Sequence, residues 1–194
     1  TLEDPTLDPA FAAEMLALPS EDAIADRMAV IDVEAVHRAR EALRGTIAES
    51  LRDRLLDAYR RHAGNRPPSA DPLEAGQRAL KNRALAYLVA TGDGDMEDLC
   101  YRQYRDAQTM TDSVAALSLL AEGDSPYREH ALADFRQRWA DDRLVLDKWF
   151  TVQAASPRAD TLEIRRVSED PLAALQTGVL YVQSSRARDS QIFT

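Results

Sequence analysis

The chain is short of most features that mark a reactive centre on sight. Its 194 residues hold one cysteine, Cys100, so no internal disulfide can form. A single thiol fits a reducing compartment, and a cytoplasmic location is the expectation. The three histidines, His37, His62 and His130, stand far apart in sequence. The His-Glu-x-x-His helix, which offers zinc two imidazoles on one face, is therefore absent. There is no Gly-x-Ser-x-Gly, no Walker loop and no glycine-rich dinucleotide fingerprint. No apolar run approaches the ~20 residues of a membrane span, and no basic, apolar leader opens the chain, so no membrane role is expected. Cations are also in deficit, 24 Lys and Arg against 33 Asp and Glu, a net charge of −9. Nucleic-acid binding rests on neutralising phosphates, which argues against such a partner. Only two of the cations are lysines, Lys81 and Lys148.

What is present is helical pattern. Nothing alternates with period two over a useful length before residue 178, so no significant sheet is expected. Residues 1–7 read as a linker. Asp8-Pro9 starts a helix with Phe11, Met15 and Leu16 inward until Pro19, and Ser20 caps a short one with Ile24 and Met28 inward. Asp32 opens the longest helix, to about His62, with Val36, Leu43, Ile47, Leu51, Leu55 and Tyr59 as a narrow apolar stripe. Gly45 within it marks a candidate for a close helix crossing. Gly64-Asn-Arg-Pro-Pro-Ser-Ala breaks the chain. Asp71-Pro72 begins the next helix, through Leu73, Leu80, Ala84 and Leu88 to Gly92. Another starts at Asp95 with Met96, Leu99, Cys100 and Tyr104 on one side.

The most informative stretch runs from Thr109 to Ser156, as three amphipathic helices. Thr109 caps the first, with Asp112 as a capping-box-like partner, and Val114, Leu117 and Leu120 share a face. Leu132, Phe135 and Trp139 share a face of the second, from Tyr127 to Trp139. Both tryptophans, Trp139 and Trp149, fall here, which predicts the densest part of the core. Pro157 breaks the chain, and Thr161 to Arg166 suggests another helical turn or two. Short helices joined by short turns predict an all-α array of antiparallel helix pairs. No fixed sequence period supports a TPR or ankyrin repeat.

The candidate sites read as structure. The histidines are read as surface or helix-end residues, because a metal needs convergent ligands. Thr91-Gly-Asp-Gly-Asp-Met-Glu-Asp98 invites a calcium loop, but Asp98 falls where the glycine belongs and Tyr104 where the bidentate glutamate belongs. A turn leading into an acidic helix start explains it better. Cys100 lies on an apolar face without a nearby histidine and is read as a small buried hydrophobe. Asp141-Asp142 is read as a solvated turn, and Asp147-Lys148-Trp149-Phe150 as charges that pair or cap beside packed aromatics. No catalytic, cofactor-binding or metal-ligating residue is assigned to this chain.

Several segments carry a resemblance. Arg78-Ala-Leu-Lys-Asn82, Met110-Thr-Asp-Ser-Val-Ala-Ala-Leu-Ser118 and Val145-Leu-Asp-Lys-Trp-Phe-Thr-Val-Gln-Ala-Ala-Ser-Pro157 resemble the C-terminal helical domain of bacterial aminopeptidase N, in the zinc-dependent M1 family of alanyl aminopeptidases. Phe11 to Ala25, with Leu18-Pro-Ser-Glu21, resembles the start of that domain, and the match runs in order over roughly residues 8–166. The resemblance implies an ARM- or HEAT-like helical superhelix over residues 8–170, whose inner face covers a neighbouring catalytic domain. The zinc, the general acid/base glutamate and the substrate-amine site would belong to that preceding domain, the expected partner together with peptide substrates. The family also brings arginines to the substrate cavity after an Asn-Pro-Asn-Arg segment that this chain lacks, so none is carried over.

After about Val167 the sequence departs from the family, as a frame slip or an interrupted gene would produce. Residues 171–194 are expected to cover the apolar flank of the missing helices irregularly or to stay mobile. The leading expectation is a non-catalytic aminopeptidase domain, inactive alone. Its rivals are a standalone helical-repeat interaction module and, more remotely, a helical enzyme whose site is assembled from scattered carboxylates.

Overall fold

Seven helices begin where a side-chain oxygen accepts a backbone N–H two or three residues ahead. The caps are Asp8, Ser20, Asp32, Asp71, Asp93, Thr109 and Asp142. In the computed structural model, which describes residues 2, 4, 6–64 and 71–158, the elements are α1 (Pro9–Met15), α2 (Glu21–Ala25), α3 (Val33–Ser50), α4 (Arg52–His62), α5 (Pro72–Val89), α6 (Gly94–Asp106), α7 (Met110–Glu122), α8 (Arg128–Arg138) and α9 (Arg143–Ala154). Among the described residues there is no strand, and the fold is all-α as expected. The segments expected at Thr161–Arg166 and 171–194, and most of the Gly64–Ala70 break, lie outside the described residues. The chain divides into two compact units, Thr1–Ser113 and Val114–Thr194, with α7 running across the division.

In the first unit α1 packs on α5 at Gly76. A Cβ there would come 2.9 Å from Ala10 N and 3.1 Å from Ala10 Cβ. So close an approach leaves room only for small side chains. Ala12 and Ala13 are buried with Leu80, flanked by half-buried Leu2, Leu7 and Leu16. Phe11 and Met15, expected inward, are 56% and 59% exposed instead. Tyr87 Oη donates to Leu16 O at 2.6 Å and holds the end of α1. Met28, also expected inward, lies beyond the end of α2 and is exposed.

The single helix expected from Asp32 to His62 is two. Leu51 (φ −113°, ψ 12°) leaves the helical region between α3 and α4. The hydrogen-bond ladder still passes through it, Leu51 N to Ile47 O at 3.0 Å and Leu55 N to Leu51 O at 2.9 Å. The apolar stripe is buried at Val36, Leu55 and Tyr59, half-buried at Ile47 and Leu51, and exposed at Leu43. The close crossing is not at Gly45, where a Cβ would meet nothing within 4 Å. The two helical glycines should therefore respond oppositely to alanine. Gly45→Ala should stabilise by up to about 1 kcal/mol through helix propensity, and Gly76→Ala should destabilise by about 1–3 kcal/mol through the clash with Ala10. Urea unfolding of both variants checks the pair.

Between α5 and α6 the chain turns at Gly92, whose φ of +70° lies in the left-handed region that glycine enters without strain. Asp93 then caps α6, one carboxylate oxygen accepting from Asp95 N at 3.0 Å and the other from Arg52. That is the turn and acidic helix start expected of this segment. Met96, Cys100 and Tyr104 are buried on the inner side of α6.

In the second unit the large side chains that are fully buried are Leu117 and Leu120 of α7 and Phe135 of α8, with Leu132, Val145 and Val152 nearly so. The indoles are not the centre. Trp139 caps the end of α8 and is 37% exposed, its ring 6.5 Å from that of Phe135. Trp149 is half-buried and anchored at the rim. Its Nε1 donates to Leu132 O at 2.8 Å, Phe150 meets it edge-on at 4.9 Å, and the Arg136 guanidinium lies 5.6 Å from its ring centre. An indole N–H needs an acceptor when it leaves water, and a rim position supplies one. After α9 the chain folds back onto the end of α7. Ser156 Oγ donates to Ala121 O at 3.0 Å, and Arg158 Nη1 donates to Gly123 O at 3.1 Å and pairs with Asp124.

Candidate functional site

The first unit holds a cleft of about 470 Å³. Its walls are the last turn of α4, the first half of α5, the outer side of α6 and the turn into α7. Tyr59, Leu99 and Ala107 give it apolar surface, and the rest is polar. At its buried side four residues interlock. Lys81 Nζ lies 2.8 Å from Asp112 Oδ2, both side chains being under one-tenth exposed. Asn82 Nδ2 donates to Asp112 Oδ1 at 2.9 Å. Gln103 Nε2 donates to Asn82 Oδ1 at 2.7 Å and to Asp112 O at 3.2 Å.

This network corrects one expectation. Thr109 does cap α7, accepting from Asp112 N at 3.2 Å, but the Asp112 carboxylate does not turn back as a capping-box partner. The buried Lys81 ammonium and the half-buried Asn82 amide claim it instead, since a buried charge demands an opposite one. The residues joined come from two of the segments that carried the resemblance, Arg78–Asn82 and Met110–Ser118. Gln103 was missed. The available signal was Lys81, a charge set among the apolar Leu80, Ala84 and Leu85 of a helix and thus in need of a partner.

The other sequence candidates are not brought together. His37 Nδ1 lies 2.7 Å from Glu21 Oε1 and ties α3 to α2. His62 lines the cleft, and His130 is exposed on α8. Cys100 is fully buried in α6. Asp142 is the cap of α9, accepting from Val145 N at 3.2 Å. Asp147 and Lys148 are exposed, and the Asp147 carbonyl accepts from Thr151 Oγ1 at 2.7 Å. No three His, Cys, Asp or Glu side chains among the described residues are grouped to hold a metal ion. These residues do not fit the zinc that the resemblance implies for the whole enzyme.

Shifted carboxylates do not gather here either. Asp93 is held below the usual range by the Arg52 hydrogen bond and then by Asp95 N–H. Asp106 is held down by the hydrogen bond from Arg105. Tyr59 moves the other way. Its phenol is pushed up to about 12, first by burial, then by the neighbouring Cys100 and Asp112, with Arg102 opposing. The folded state therefore favours the neutral phenol. Its contribution to stability is complete below pH 10, where an unfolded tyrosine ionises, and drains away as pH rises toward 12. Wild-type protein should lose roughly 2 kcal/mol more between pH 10 and 12 than Tyr59→Phe does, read by urea unfolding at stepped pH.

Short capped helices, with no strand among the described residues, define an all-α domain. The chain belongs to the family described as "Domain of unknown function (DUF3458_C) ARM repeats", whose model matches residues 1–173. It is 37% identical to aminopeptidase N of Escherichia coli (strain K12) over 166 residues, which is 85% of this chain and 19% of that protein. It is 39% identical to aminopeptidase N of Caulobacter vibrioides over 163 residues, 84% of this chain and 19% of the other. The Haemophilus influenzae aminopeptidase N is 36% identical over 160 residues, 82% of this chain and 18% of that one. The chain thus spans less than a fifth of the length of these relatives. Legionella pneumophila aminopeptidase A, solved in complex with aspartic acid, superposes with a TM-score of 0.75 at 24% identity, over 88% of this chain and 21% of that one, and bears on the fold alone.

Proposed function

We propose that this chain is the non-catalytic C-terminal helical domain of an M1-type zinc aminopeptidase. It walls the cavity in which N-terminal residues are removed from short peptides. The zinc and the groups that activate water belong to a preceding domain of the same enzyme. The observation that carries this is the match itself. Identity of 36–39% runs along more than four-fifths of this chain yet takes up under a fifth of each aminopeptidase N.

Exposed apolar side chains of the first unit support a scaffold that docks on further protein. After α2, Met28, Val30 and Ile31 follow one another at 38%, 82% and 54% exposure. Large apolar groups clustered in one short segment mark an interaction surface more often than scattered ones do. The scaffold reading makes a direct test. Purified chain supplied with zinc should show no chelator-sensitive turnover of alanine p-nitroanilide, and appreciable turnover would overturn it. Coding sequence read upstream of Thr1 should contain, in frame, a His-Glu-x-x-His helix. A natural start codon near Thr1 would instead favour a free-standing interaction module.

A further inference from the structure

We propose that the cleft between α4, α5 and α6 is a binding site for a small organic oxyanion, a molecule bearing carboxylate or phosphate groups. The inference does not rest on the aminopeptidase reading. It starts from sign. The chain as a whole carries −9, but the cleft is lined by five cations, Arg60, Arg61, Arg78, Lys81 and Arg102, against three carboxylates, Glu74, Asp106 and Asp112. A concave surface with an excess of one sign, set in a field of the other, concentrates the counter-ion at that place.

The carboxylates are also occupied. Asp112 is held by Lys81 and Asn82. Asp106 accepts two hydrogen bonds from Arg105, at 2.8 and 3.2 Å. Glu74 stands 3.9 Å from Arg78. Arg61 spends its guanidinium on a neutral acceptor, the Leu2 carbonyl, and so keeps its full charge. The side chains of Arg60 and Arg102 make no hydrogen bond or ion pair among the described residues. Lys81 gives one of its three protons to Asp112.

Exposed arginines without partners are ordinary on a flat surface, where water serves them. Here they border a hollow of about 470 Å³. That lies in the range of roughly 300–1,000 Å³ typical of small-molecule sites and is far more than an inorganic ion fills. Guanidinium forks match the paired oxygens of carboxylate and phosphate alike, so both sources share one recognition chemistry. Tyr59 and Leu99 supply apolar wall for a carbon skeleton.

The test is calorimetric titration of the full 194-residue chain at low ionic strength with citrate, with ribose 5-phosphate and with inorganic phosphate. Saturable binding of citrate alone assigns the site to carboxylates, of ribose 5-phosphate alone to phosphate esters, and of both to oxyanions at large. Each supports the proposal. Arg60→Ala and Arg102→Ala should each weaken the bound probe by about 5-fold, and Arg60→Lys with Arg102→Lys should retain part of the affinity. Both arginines are exposed, so thermal unfolding of the variants without ligand should match wild type. No saturable binding of either organic probe would overturn the proposal. So would affinity unchanged in the alanine variants, or inorganic phosphate binding as tightly as both organic probes.

Discussion

Asp112→Asn should cost this protein about 3–5 kcal/mol, although the two side chains have nearly the same shape. The substitution leaves the Lys81 ammonium buried without an opposite charge, and uncompensated burial is what makes breaking such a pair expensive. Asparagine at 112 can still accept the Asn82 amide hydrogen through its own oxygen, so the loss isolates the charge. At neutral pH the urea midpoint should fall with little change in slope. Adding Lys81→Met should restore more than half of the deficit, because a neutral, well-packed pair costs no desolvation. If Asp112→Asn alone were as stable as wild type, the pair would be water-served and the network only decorative.

Phe135→Ala should be the most damaging change in the second unit. The ring is fully buried, and a cavity of that size typically removes about 3–5 kcal/mol. Trp139→Ala deletes a larger side chain yet should cost less, about 2 kcal/mol, since more than a third of that residue already faces water and water can enter the space left at the rim. Trp149→Phe keeps a ring in place and loses only the bond to Leu132 O and the Arg136 contact, so it should cost least, about 1–2 kcal/mol. The ordering is the test. Were Trp139→Ala to cost as much as Phe135→Ala, the indoles would be the centre of this core after all.

The contrast shows how far sequence carries. Capping is a local rule, so Asp8, Ser20, Asp32, Asp71 and Thr109 could be read off the chain and stand where read. Helical periodicity shows that a face exists, but not which neighbour sets its spacing. Phe11 and Met15 lost their inward places because α5 offers α1 a glycine, and only alanine fits so close. Gly45 and Gly76 look alike in sequence, each within a helix, and nothing short of the tertiary arrangement tells which one is crossed. The candidate site was the least legible part. Asp112 has a plausible local use as a cap partner, and its true partners lie about thirty residues upstream, at Lys81 and Asn82. A long-range ion pair leaves no mark in sequence except a charge in apolar company.

The return of the chain over the end of α7 fixes a boundary for cutting. A polypeptide ended after Arg158 keeps both latch residues, Ser156 on the Ala121 carbonyl and Arg158 on that of Gly123. One ended at Ala155 forfeits them together and leaves those two oxygens to find other donors. The chain ended at Ala155 should accordingly unfold at a lower urea concentration than the chain ended after Arg158.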